Sequence, residues 1–152
     1  YFTYGYPDIK EKFSGTPIDS LGRRTKIWKT VRDVNREIRK LQHIFLGCEV
    51  IDVSHTGDKL PEGTHRPGIL PKPFTQLLSG AEGVMVSHFR NGPKEYLLLV
   101  NHSVTDKQKV RLDATPGADI RRHYGNGKTR RFKSSMLTLD PGGYALFGWS
   151  AN

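Results

Sequence analysis

Apolar residues recur at spacings of four and three through Ile27, Val31, Val34, Ile38, Leu41 and Phe45, while Lys29, Arg32, Asp33, Arg36 and Lys40 fill the opposite side. That period predicts one long amphipathic helix over about residues 23–44. The turn-rich run Thr16-Pro17-Ile18-Asp19-Ser20-Leu21-Gly22 offers capping side chains ahead of it, and Gly47 offers a stop behind it. Six apolar side chains worth about 1.5–3 kcal/mol each on burial call for a partner surface, either the following domain or a sheet from elsewhere.

After the helix the period becomes two. Residues 48–55 alternate as a strand, with Val50 and Asp52 expected on one side and Ile51 and Val53 on the other. From 56 to 73 the pattern breaks at Pro61, Gly63, Pro67, Gly68, Pro71 and Pro73, which reads as an ordered surface crossing. Strands at 84–89 and 96–101 flank Arg90-Asn91-Gly92-Pro93-Lys94, a hairpin connection. At 107–113, Gln108, Val110 and Leu112 alternate with Lys109, Arg111 and Asp113, so one face is solvated. Ile120, Arg122 and Tyr124 lead into the turn Gly125-Asn126-Gly127, with a return at 130–133. Strands at 137–139 and 144–149 flank Asp140-Pro141-Gly142-Gly143, read as another hairpin, and Trp149 alternates with Phe147 and Ala145 as core. The fold class is therefore mainly β: an antiparallel β-sandwich of about seven or eight strands preceded by one long amphipathic helix. A parallel sheet would need crossover helices. The expected domains are residues 1–47 and 48–152.

The run Tyr1-Phe2-Thr3-Tyr4-Gly5-Tyr6-Pro7 is strand-like and lacks an initiator Met, so with the helix it reads as the last βα unit of something larger. No apolar run approaches the ~18 residues of a membrane span. No signal peptide is visible, which leaves the location open: periplasmic or extracellular if the parent is exported, otherwise cytoplasmic. Cys48 sits among Leu46, Val50 and Ile51 as an expected buried, inert thiol. The net charge of +9 directs attention to two basic clusters, one on the helix with Arg32, Arg36 and Lys40, the other at 121–133 with Arg121, Arg130 and Arg131. No zinc-finger spacing, helix-turn-helix pattern or RNA-binding aromatic signature accompanies them. Nucleic acid is thus disfavoured against a solvated or domain-facing surface, and binding to polyanions stays an alternative.

Catalytic chemistry finds little support. Glycoside hydrolysis usually needs two converging carboxyl groups, whereas Glu49, Glu62, Glu82 and Glu95 are unmarked and read as solvated surface. The six histidines are scattered and no two take a metal-ligand spacing on one element, so neither a metal nor another cofactor is expected. No phosphate-cradling Gly loop or nucleophile elbow is present. The aromatic run is the exception, because aromatic faces stack on sugars; its alternative is packing of an edge strand.

Several stretches in order, Tyr1-Phe2-Thr3-Tyr4, Thr16-Pro17-Ile18-Asp19-Ser20-Leu21-Gly22-Arg23-Arg24-Thr25, Val34-Asn35-Arg36-Glu37-Ile38 and Val53-Ser54-His55-Thr56-Gly57, resemble the C-terminal end of bacterial (β/α)8-barrel glycoside hydrolases of the beta-galactosidase-like kind. Residues 96–103 and 137–149 resemble strands of the accessory sandwich in that family. The resemblance implies a last barrel strand and helix followed by a non-catalytic β-sandwich that stabilises the barrel. The catalytic carboxylates would come from earlier strands, leaving this chain without a catalytic centre. Its partner would be the catalytic barrel of the same polypeptide. Tyr4 and Tyr6 would be the candidate sugar contacts, and a carbohydrate-binding module that anchors the enzyme on a glycan is the alternative.

Overall fold

The computed structural model describes residues 15–133 and 135–151. The aromatic run with Tyr4 and Tyr6 lies outside them. The chain divides after Gln42 into two compact units.

In the first unit a tight loop precedes helix α1 (Lys26–Phe45). The Asp19 carboxylate accepts the backbone N–H groups of Arg23 and Leu21 at 2.8 and 2.9 Å and pairs with the Arg23 guanidinium. Those bonds, the Arg23 N–H foremost, hold its acid below the ordinary carboxylate range. Because Arg23 and Arg24 serve this loop, Arg24 by bridging to Ile18, the helix starts later than its periodicity suggested. Thr25 is the cap, its hydroxyl oxygen accepting the Ile27 N–H at 3.2 Å. Along the expected apolar stripe Val31 and Leu41 are buried, whereas Ile27, Val34 and Ile38 are 38%, 42% and 57% exposed.

The second unit is a two-layer antiparallel sandwich. Its strands are β1 (Glu49–His55), β2 (Phe74–Ser79), β3 (Met85–Asn91), β4 (Lys94–Val100), β5 (Gln108–Ala114), β6 (Arg121–His123), β7 (Thr129–Arg131), β8 (Ser135–Leu139) and β9 (Tyr144–Ser150). One sheet has the order β1-β3-β4-β9-β6-β7 and the other β2-β5-β8. Between them lie Val86, Leu97, Leu99, Ala145, Phe147 and Trp149 from the larger sheet and Phe74, Val110, Leu112, Leu137 and Leu139 from the smaller, closed at one end by Ile120 and Phe132. Strand β5 keeps the expected alternation, with Gln108, Val110 and Leu112 buried.

The larger sheet is apolar on its outer side as well. Phe45 stacks on Phe89 at 5.5 Å and Phe89 on Tyr96 at 5.2 Å, and Ile44 is fully buried. Asn91 donates its side-chain amide to the carbonyls of Ile44 and Leu46, satisfying two acceptors that a helix end leaves open. Gly47, at φ +74°, then turns the chain into β1.

The expected class, an antiparallel β-sandwich preceded by one long helix, is what the structure shows, with nine strands among the described residues because β2 follows the proline-rich crossing. Three expectations are corrected. A bulge between Val50 and Asp52 resets the parity of β1: Val50 pairs with Phe89 and Val53 with Ser87, so these two share a face and Asp52 lies on the other. The run 140–143 is no hairpin, since β8 pairs with β5 and β9 with β4, and the turn carries the chain from one sheet to the other. Buried Asn101 anchors that corner by donating to the carbonyls of Asp106 and Asp140 at 2.7 and 3.0 Å, while its own carbonyl oxygen accepts the Ser103 N–H. Finally, Cys48 is only half-buried.

The end of β1 crosses the β2–β3 link at van der Waals range. A Cβ on Gly83 would lie 1.9 Å from the Thr56 carbonyl oxygen, and one on Gly57 would lie 2.7 Å from that of Ala81. Thr56 and Asp58 donate backbone N–H bonds to Val84 and Ala81 across the crossing.

Candidate functional site

Two adjoining features of the second unit concentrate polar chemistry. The first is a cleft of about 500 Å³ lined by Pro71, Lys72, His88, Glu95, Asp119 and Trp149 among others. His88 and Glu95 come from neighbouring strands of the β3–β4 hairpin, where the turn at 92–93 sets His88 opposite Leu97 and so one diagonal step from Glu95. Their side chains meet at 3.0 Å between Nε2 and Oε2, and the imidazole stacks on the Trp149 indole at 6.1 Å. Trp149 is itself held edge-on by Phe74 at 5.2 Å and is only 7% exposed. The cleft therefore offers a fixed imidazole–carboxylate pair with an indole edge, a set suited to hydroxyl groups of a small polar ligand. Glu95 is thus a partly buried partner of His88, not the solvated side chain expected.

The second feature is the β6–β7 hairpin. Its register places Arg121 opposite Arg131 and Arg122 opposite Arg130. Arg122 lies over the Tyr124 ring at 5.0 Å, Arg131 donates to the Gly117 carbonyl, and Arg121 reaches Asp119 at 3.4 Å with both side chains more than half exposed. Gly127 at φ +82° makes the turn, with Tyr124 and Lys128 bonded across it. His123, on the same hairpin, packs against Tyr96 at 5.9 Å over Gly148, where a Cβ would approach its Nε2 to 2.9 Å. Burial, then the charges of Lys94 and His43, holds its imidazole below the ordinary value.

No family model, curated protein or solved structure matches this chain.

The arrangement joins three of the expected basic residues, Arg121, Arg130 and Arg131, on facing strands. Arg32, Arg36 and Lys40 belong to α1 in the first unit, with Arg32 bound to Asp33 at 2.9 Å and over the Trp28 ring. Sequence reasoning missed the His88–Glu95 pair, although counting outward from the Gly92-Pro93 turn would have found it. It also missed that His55, His65 and His102 gather at the end of β1. His55 is held below the ordinary imidazole value by burial first, then by the charges of His102 and His65, and His65 bonds Asp52 at 2.8 Å. Among the described residues no group of three or more His, Cys, Asp or Glu side chains is placed to hold a metal ion. No helix among them is long and apolar enough to cross a membrane. A larger trough of about 690 Å³ runs beside β2 and residues 66–70, but its Arg66 is spent on the carbonyls of Gly57 and Asp58 and its Ser79 hydroxyl on that of Thr56.

Proposed function

We propose that the chain is the C-terminal part of a (β/α)8-barrel glycoside hydrolase and that its β-sandwich is a non-catalytic accessory domain stabilising the catalytic barrel. The observation that carries this reading is the exposure of Ile27, Val34 and Ile38 on α1. Scattered apolar side chains are ordinary on a surface, but three on one helical stripe form a patch that a partner normally covers. A barrel sheet is the partner that the sequence resemblance implies. The gene is expected to encode, ahead of Tyr1, repeated strand–helix units with two strand-end glutamates, and upstream DNA without them overturns the proposal. The chain alone is expected to turn over no aryl glycoside; turnover abolished by E95Q would sink it from the other side.

A second reading, a carbohydrate-binding module, is favoured by the cleft at His88, Glu95 and Trp149. It predicts quenching or enhancement of Trp149 fluorescence on titration with a neutral oligosaccharide, lost in E95Q. A glycan array without binding removes it.

A further inference from the structure

The β6–β7 hairpin presents a charge arrangement that folding does not explain. Like charges directly opposite one another on paired strands are destabilising, yet two successive pairs here, one on each face of the hairpin, are Arg–Arg. From 121 to 133 the chain carries Arg121, Arg122, Lys128, Arg130, Arg131 and Lys133 and no carboxylate. Among the described residues the hairpin's ion pair is that of Arg121 with Asp119, in solvent where such a pair is weak. Protection of the sheet edge would account for charges on β7, the terminal strand. It does not account for Arg121 and Arg122 on β6, which is paired on both sides. Edge protection also favours Lys, whereas guanidinium groups are forked donors suited to sulfate, phosphate and carboxylate oxygens. The arginines are also partly ordered in advance, Arg122 by the Tyr124 ring and Arg131 by the Gly117 carbonyl.

We infer that the face of the β6–β7 hairpin carrying Arg122 and Arg130 is a binding surface for an acidic polysaccharide, one bearing sulfate or carboxylate groups. This inference does not rest on the chain's belonging to a hydrolase. Single-stranded nucleic acid is the weaker fit, because its binding sites add aromatic platforms for the bases, and the hairpin's aromatic ring, Tyr124, has a guanidinium over it. Bound anions would neutralise the facing arginines, so occupancy and hairpin stability should rise together.

The test is calorimetric titration of the full chain with heparin at several salt concentrations, beside uncharged dextran and a short DNA duplex. Heparin is expected to bind with an affinity that falls steeply with salt, and dextran not to bind. R122Q/R130Q should weaken heparin binding by about tenfold or more and lower the salt slope by about one per arginine removed. The helix variant R32Q/R36Q/K40Q should leave binding within about twofold of the parent. Should R122Q/R130Q fail to fold, K128Q/R130Q, altered only at exposed positions, replaces it with the same expectation. Heparin should also raise the melting temperature of the parent more than that of the hairpin variant. Undiminished binding in the hairpin variant, loss in the helix variant, or tighter binding of the DNA duplex than of heparin each overturns the inference.

Discussion

Strand β9 pairs with β4 on one side and with β6 on the other, and the two neighbours are held by different means. Against β4 it runs a seven-residue ladder whose facing residues include Leu97 with Phe147 and Leu99 with Ala145, all deeply buried. Against β6 it keeps three pairs, and the hairpin that β6 begins sets arginine against arginine. The first side is stabilised by its own cross-strand contacts. The second is held by what flanks it: buried Ile120, which accepts the Phe132 N–H at 2.8 Å, and Phe132, packed on Phe147 at 4.6 Å. One sheet thus combines a self-sufficient half with a half whose exposed residues are free to serve something other than folding.

The sharpest way to break the contrast is through Phe147, which belongs to both sides because it pairs with Leu97 and with Arg122. Phe147→Ala should cost about 3–5 kcal/mol, enough to unfold much of a marginally stable domain, and urea denaturation should show both sides lost in a single transition. A transition in which the hairpin melts first, leaving β3–β4 intact, would show the halves to be more independent than their shared core implies. Asn101→Ala acts on the β4 side alone, leaving the carbonyls of Asp106 and Asp140 and the Ser103 N–H without their buried partner. A loss of about 1–3 kcal/mol is expected, with hydrogen exchange accelerated most at the corner around 139–143.

On the hairpin side the sensitive group is His123. Its folded-state pKa lies below the unfolded value of about 6.5. Above that pH the ring is neutral in both states. As pH falls below about 6.5 the unfolded chain takes up the proton first, so stability declines until the folded-state value is passed. Melting temperature should therefore drop on acidification through this window, and H123Q should reduce the slope; an unchanged slope would show that the ring titrates as it does in the unfolded chain. The smallest effect is a gain. Arg130→Thr relieves one like-charge pair and should stabilise the domain by about 0.2–1 kcal/mol in low salt, with the benefit fading as salt screens the repulsion. No gain at low salt would mean that the facing guanidinium groups do not repel as their register suggests.

How far these features were legible depended on whether the local pattern carried tertiary information. Strand β5 could be read because its polar and apolar positions alternate without interruption and its outer face meets solvent. Strand β2 could not, since only Phe74 of its six residues is buried and Leu78 is 52% exposed, so nothing in Phe74-Thr75-Gln76-Leu77-Leu78-Ser79 has a period. The bulge in β1 hid the sides taken by Val50 and Val53, because one extra residue reverses parity without a mark in composition. Gly92-Pro93 and Pro141-Gly142 look alike as turn signals; what separates a hairpin from a sheet-to-sheet corner is Asn101, forty residues upstream of the second turn. The cationic residues at 121, 130 and 131 could be expected to face one another once the turn at 125–127 was placed. Their pairing one to one needed the register.

The crossing at Gly57 and Gly83 has a consequence for how this chain can change over generations. Because each glycine lies against the other strand's backbone, neither can be replaced alone without displacing main chain, and a second substitution cannot compensate for the first. Together they act as a clasp at the neck of the segment 58–82, which itself returns through β2. The clasp fixes the two strands that leave it, so residues 59–64, ahead of the anchoring His65 and Arg66, can be exchanged, added or lost without shifting the sandwich beneath. Variation is thereby channelled to one surface of the molecule, where new specificity can be tried while the framework stays put.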